Sequence, residues 1–313
     1  MRLIKEKTKI DFLGKTRRKV ALGISLGLIV LSIASIATRS LDFGIDFTGG
    51  VLIEVGYSEA ANLPGIRTRL SEAGYAEYRV TRFGADTDVQ VRLPPQIGVE
   101  SDAIRDSLRG ILAADDPDVD LRRVEFVSAQ VGDELTEQGG LAMIFVLLMI
   151  FAYVMLRFQW KFAAGAVAAL VHDVILTIGF FSMFGISFDL TVVAAVLAVI
   201  GYSLNDTVVT FDRIRENFIK LRGTGSEDAM NISINEVLAR TIITGITTLM
   251  VLVALLVFGG EPVAPFSIAL IVGVVVGTYS SIYTASTVAL LLDVSAQDLM
   301  PPEVDPDAID DLP

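Results

Sequence analysis

The chain has no cysteine and only one histidine and one tryptophan. Without cysteine there are no disulfides, zinc–thiolate sites, iron–sulfur clusters or thiol nucleophiles. A single histidine leaves no multi-histidine metal centre. Lys and Arg number 25 against 37 Asp and Glu, and the net charge of −12 argues against nucleic acid as a partner. Charge of either sign is confined to certain stretches. Between them the chain is apolar: 52% of its 313 residues are hydrophobic and the mean hydropathy is +0.60. That excludes an ordinary soluble enzyme and a disordered chain.

A helix needs roughly 20 apolar residues to cross a bilayer. Six runs qualify, at 20–38, 139–156, 162–184, 188–211, 240–260 and 266–292. The first is longer than the 7–15 residues of a signal-peptide core, so it is expected to be an anchor. Lys and Arg set the orientation. Residues 1–19 hold eight of them; 157–161 carries Arg157 and Lys161; 212–241 carries five more, Arg222 included. The connections 183–189 and 261–265 carry none. A basic N-terminus at 1–19 is therefore expected in the cytoplasm, with the acidic tail at 293–313, expected to be disordered, on the same side. The segment 212–239 reads as a cytoplasmic loop or surface helix.

Residues 39–138 would then form the one long periplasmic segment. It holds ten Arg, no Lys and nineteen acids. Alternation at 51–57, 78–83, 88–93 and 122–131 predicts strands, and 64–74 and 101–114 read as helices. The order β-α-β-β-α-β predicts an α+β ferredoxin-like domain. Nothing in it points to chemistry, so a binding or strut role is expected. The stretch 41–50 that precedes it contains Asp42, Asp46, Gly49 and Gly50.

An ionisable group inside a span is costly and marks a candidate site. Asp206 lies about 10 Å inside its span, seven residues from Arg213. Asn205 precedes it. Arg240 opens the fifth span, and Thr241, Thr244, Thr247 and Thr248 follow it. His172 and Asp173 sit near the middle of the third span. As helix neighbours they are about 100° apart, so one is expected to face the interior and the other a partner. They are candidates for a polar path or for packing. A six-span half-bundle alone is expected to leave His172, Asp173 and Asp206 facing lipid. Gly273 and Gly277 form a small-xxx-small seam, as do Gly23 and Gly27.

The run from Gly201 through Asn205 and Asp206, continuing into Asp212, Arg213, Arg215, Glu216 and Asn217, closely resembles the SecD/SecF family of bacterial protein-export membrane proteins, with the motifs of its SecF branch. The 41–50 stretch, His172–Asp173 and Arg240–Thr241 match further family motifs in order. The resemblance implies half of a bundle related to the resistance-nodulation-division (RND) transporters. It implies SecD as the second half, with YajC, the SecYEG channel and translocating preproteins as further partners. It implies use of the proton-motive force after the steps driven by SecA, in the inner membrane of a bacterial, Gram-negative envelope. Asp206 and Arg240 would lie on the proton path, with protons as coupling ion and no cofactor. One charge crossing 100 mV gains about 2.3 kcal/mol, so a few protons could drive a domain movement.

Three other readings compete. An RND-like exporter half-subunit would share the membrane plan. A passive scaffold would leave Asp206 inert. An aspartyl intramembrane protease would use Asp173 and Asp206, but the Gly-x-Gly-Asp motif of such enzymes is absent.

Overall fold

The structure is a computed structural model that describes residues 9–75, 77–96, 101–114, 116–221 and 223–295. The rest of the basic N-terminus (1–8), most of the acidic tail (296–313) and Arg222 lie outside the described residues.

Among the described residues, six helical segments are long and apolar enough to cross a membrane. The first is α1 (Lys15–Arg39). A short strand β1 (Asp42–Phe43) and one helical turn α2 (Ile45–Thr48) lead into a small sheet domain. Its elements are β2 (Gly50–Gly56), α3 (Leu63–Glu72), β3 (Arg79–Arg82), β4 (Asp88–Leu93), α4 (Ser101–Leu112) and β5 (Asp120–Val127). The sheet is antiparallel in the order β3-β4-β2-β5, the ferredoxin-like arrangement that the β-α-β-β-α-β pattern predicts. Alternate residues Ile53, Val55, Val89 and Val91 turn to Ile66 and Leu70 of α3 and to Ile104, Leu108 and Leu112 of α4, forming one apolar core.

Three boundaries depart from expectation. The last strand ends at Val127, and α5 (Ala129–Arg157) begins ten residues before the predicted span at 139. Ser128 caps α5 by accepting the Val131 N–H at 3.3 Å, and the polar residues 129–138 continue that helix outside the apolar run. The segment 212–239, expected as a loop or surface helix, is a helical hairpin. Helix α7 (Leu190–Lys220) runs past its apolar part, and α8 (Ser226–Phe258) starts 14 residues before 240. Only the short turn around Gly223, with φ 93°, separates them. The sixth span is composite: a 3₁₀ turn (Glu261–Val263), α9 (Ala264–Ser280), a π-helical turn (Ser281–Ala285) and α10 (Ser286–Leu291).

Helix α6 (Trp160–Phe184) and α7 form the centre of the bundle, with about half of their apolar stretches buried. The apolar stretches of α1, α5 and α8 are only 17%, 6% and 17% buried, which leaves broad apolar faces for lipid or another subunit. Backbones approach closely where side chains are small. A Cβ on Gly273 would fall 2.1 Å from Val199, and one on Gly277 would fall 3.0 Å from Ser203, so this seam packs α9 against α7. Among the described residues, nothing lies within 4 Å of a Cβ placed on Gly23 or Gly27. Instead α1 meets α6 through Ser32 against Gly179 and through a Ser35–Ser182 hydroxyl pair at 3.0 Å.

Candidate functional site

The π-helical turn lies beside the main polar cluster. Just before it, Ser280 on α9 donates to Asp173 Oδ2 at 2.8 Å, and Ser203 on α7 donates to the same oxygen at 2.6 Å. The other oxygen, Oδ1, is 2.9 Å from His172 Nδ1. Asp173 is completely buried and His172 nearly so. The two neighbours therefore do not divide between interior and partner, because the His172 ring folds back onto the adjacent carboxylate. Tyr279 stacks on that ring and donates to the Ala21 carbonyl of α1 at 2.8 Å. Four helices thus meet at one acid–imidazole pair. Among the described residues, His172 Nε2 is buried without a hydrogen-bond partner.

Asp206 lies one turn beyond Ser203 on α7. It too is buried by the chain itself, at 4% exposure, so neither it nor the His172–Asp173 pair faces lipid. The small and hydroxyl residues of α9 let neighbouring helices close over them, as the Gly277–Ser203 approach shows. Among the described residues, Asp206 Oδ2 is buried without a hydrogen-bond partner, as are Thr207 Oγ1 and Tyr202 Oη on the same helix. Arg240 is exposed on α8, which packs against α7. Among the described residues, no ion pair within 4 Å joins it to Asp206.

Other predicted residues separate from this cluster. Gly201 and Asn205 line an exposed face of α7. Thr241 is buried. The Thr244 hydroxyl bonds back to the carbonyls of Arg240 and Thr241, and Thr247 bonds similarly to Ile243 and Thr244, so these hydroxyls serve their own helix. Beyond the apolar part of α7, Asp212 accepts from Arg157 of α5 at 3.0 Å. Arg213 pairs with Glu216 and, at 2.7 Å, with Glu236 of α8. Asn217 donates to Ser233 at 3.0 Å and to Glu236 at 2.9 Å. Arg215 is half-buried and has no ion pair among the described residues. This group fastens the α7–α8 hairpin. On the same hairpin, Asn231 and Asn235 bind the backbone of residues 10–13.

At the opposite end of α7, the connector before it contains β6 (Ser187–Phe188), which pairs in parallel with β1. Asp42 pairs with Arg79 and, at 3.5 Å, with Arg92. Burial draws the Arg92 guanidinium below its ordinary value, with the Asp42 charge opposing. Asp46 Oδ2 accepts the Leu190 N–H at 2.9 Å. Gly49 and Gly50 take φ of 67° and 121°, and a Cβ on Gly50 would fall 2.2 Å from the Leu93 carbonyl oxygen.

Ser203 and Ser280 were not singled out from the sequence. Ser280 continues the Gly273–Gly277 seam at helical spacing, and Ser203 lies one turn before Asp206. Those spacings were the available signals.

The geometry is that of a membrane-helix bundle with a buried acidic centre, and the bundle carries a ferredoxin-like domain between its first and second spans. The family model for the C-terminal part of SecD/SecF protein export membrane proteins matches residues 108–295, and the SecD/SecF GG motif matches 34–61. Protein translocase subunit SecF of Vibrio alginolyticus is 48% identical over 94% of this chain and 95% of its own. SecF of Pseudomonas aeruginosa is 48% identical over 97% and 98%. The crystal structure of SecDF, a translocon-associated membrane protein from Thermus thermophilus, superposes with a TM-score of 0.84 at 33% identity. It covers 94% of this chain, which spans only 40% of that one. SecDF in its super-membrane-facing form gives 0.68 at 32% identity. The chain belongs to the SecD/SecF family of protein-export membrane proteins and is similar to its SecF subunits.

Proposed function

We propose that this chain is the SecF half of a proton-driven SecD–SecF complex that assists the movement of preproteins through SecYEG, with YajC associated. In this reading it is a transport subunit and not an enzyme. It sits in the bacterial inner membrane with both termini in the cytoplasm and the ferredoxin-like domain in the periplasm. The Lys and Arg distribution supports that orientation, and the exposed faces of α1, α5 and α8 support a second subunit.

The observation that carries the mechanism is Asp206 itself. Among the described residues its Oδ2 is buried in a span without a hydrogen-bond partner, with Arg240 on the neighbouring helix α8. A purely structural carboxylate would be held by donors, as Asp173 is. An acid held only by a distant cation can exchange a proton without dismantling a network. Proton uptake would alter the attraction between α7 and α8 and so their packing. No cofactor enters this scheme; the proton is the coupling ion.

The test is export into inverted vesicles, with and without a proton gradient. Asp206→Asn keeps shape and hydrogen-bonding capacity but cannot titrate. It should assemble with SecD and lose the gradient-dependent stimulation. Full stimulation by this variant would support the passive scaffold instead.

A further inference from the structure

We propose that Asp46, together with the β1–β6 strand pair, joins the ferredoxin-like domain and helix α7 into one mechanical body, and that Asp46 is the residue that positions α7 against that domain. The delivery of movement from Asp206 rests on the proposed function; the joint itself does not.

The joint is built from unlike contacts. The first N–H groups of a helix have no partner within it and favour a negative charge nearby. At the start of α7, Asp46 takes the Leu190 N–H at 2.9 Å from the domain side, and Asp189 takes the Val192 N–H at 3.0 Å from the connector. The Gly44 N–H donates to the Phe188 carbonyl at 2.8 Å, which extends the parallel pairing of β1 with β6. Arg92, from the interior strand β4, donates to Ser187 Oγ at 2.7 Å while paired with Asp42. Phe43, Phe47 and Phe188 interlock with ring centroids 5.8–6.0 Å apart. The far side of the turn is closed as well, since a Cβ on Gly132 of α5 would fall 2.9 Å from the Phe47 carbonyl oxygen.

A hinge needs a few residues free to change φ and ψ. Here Asp42 to Phe47 are held through backbone bonds, an ion pair and an aromatic cluster at once. From Leu190 to Asp206, α7 is an uninterrupted helix of about 24 Å. A tilt or shift of α7 at Asp206 would therefore reach the sheet domain undiminished.

Three measurements test this on the full chain. In Asp46→Ala, amide exchange at Leu190 should be about fivefold faster, the size of a lost helix cap, while Asp46→Asn, which still offers an oxygen, should stay near the original rate. With the partner subunit in vesicles, Asp46→Ala should lose most of its gradient-dependent stimulation and Asp46→Asn should keep it. Third, Gly44→Cys with Asp189→Cys introduces the chain's only two cysteines. A Cβ at Gly44 lies 3.0 Å from Asp189 Cβ, so a small adjustment gives disulfide spacing. The oxidised form should stimulate at least as well as the reduced one, and oxidation should restore stimulation when Asp46→Ala is added. Failure of the pair to oxidise, or loss of stimulation on oxidation, would overturn the rigid joint. So would full stimulation by Asp46→Ala. If the unaltered protein gains nothing from the gradient, the transport reading fails, and the exchange and oxidation results still decide the joint.

Discussion

Ser203 donates its hydroxyl to Asp173 Oδ2 across 2.6 Å and so binds α7 to α6 one helical turn from Asp206. The carboxylate nearest the proposed proton site is thus fully engaged, whereas Asp206 is not. Two acids of the same type, on adjacent helices at similar depth, are suited to different tasks by their partners alone.

This difference should appear in stability. Asp173→Ala strands His172, Ser203 and Ser280 in a buried site and should be the most damaging single change in the cluster. Ser203→Ala removes one of three partners and should cost about 0.6–1.7 kcal/mol, the range for a hydrogen bond between membrane helices. Thermal unfolding in mild detergent should rank Asp173→Ala well below Ser203→Ala, with Asp206→Asn close to the original protein. An Asp206→Asn variant as unstable as Asp173→Ala would mean that Asp206 is structural after all.

Arg240→Met keeps the length of the side chain but removes the charge. If Arg240 serves Asp206, the variant should insert, assemble and fail to respond to a proton gradient. Asp206→Glu still titrates but is one methylene longer, and it should retain part of the response. A scaffold would show the reverse order, tolerating Asn and rejecting Glu on packing grounds. The vesicle export assay separates the two.

The two glycine seams make a paired prediction. Gly273→Val forces a side chain into Val199 and should destabilise the bundle by about 1–3 kcal/mol, the usual cost of overpacking. A Cβ on Gly23 meets nothing within 4 Å among the described residues, so Gly23→Val should leave the melting temperature of the isolated subunit unchanged. A fall in both would show that α1 packs differently from the arrangement described.

In the sheet domain, the Ser58 hydroxyl donates to Asp116 at 2.6 Å and the Ser58 N–H at 2.8 Å, which holds the Asp116 carboxyl below its ordinary value. Stabilisation from such a group is complete above the ordinary Asp value and is lost as the pH falls through the folded one. Ser58→Ala should move the Asp116 carboxyl upward. Its thermal stability should be lower than that of the original at neutral pH and converge with it in acid. Unfolding curves taken from neutral pH downward would show this, and a gap that widened in acid would contradict it.

The fold was largely legible because both of its patterns are periodic. Hydropathy marks six runs, and alternation places β4 at residues 88–93, where the structure has it. Helix ends were less legible. Membrane-length runs record where apolar residues stop, while α5, α7 and α8 continue through polar helix-forming residues such as those at 129–138 and 212–220. Strands β1 and β6 have two residues each, too few for any period, and they pair across more than 140 positions of sequence. The acids Asp173 and Asp206 stood out because charge is rare in a span. Their serine partners did not, since a serine in a membrane helix is common. Nor does a glycine pair say which helix it will meet, so Gly23–Gly27 and Gly273–Gly277 looked alike.

The π-helical turn at Ser281–Ala285 has a consequence for register. A π turn holds more residues than an α turn, so the positions after it are rotated relative to those before. Ser280, Ser281, Ala285, Ser286 and Thr287 are all fully buried, a crowding that a regular stripe of one buried position in three or four does not give. Before the turn the sixth span meets α7 through Gly273 and Gly277 and α6 through Ser280; within it the backbone comes against α6, where a Cβ on Gly165 would fall 2.6 Å from the Ala285 carbonyl oxygen. The wide turn acts as a phase shifter. Deleting a single residue within it would restore a regular helix and rotate the now buried Ser286 and Thr287 relative to Gly273, Gly277 and Ser280.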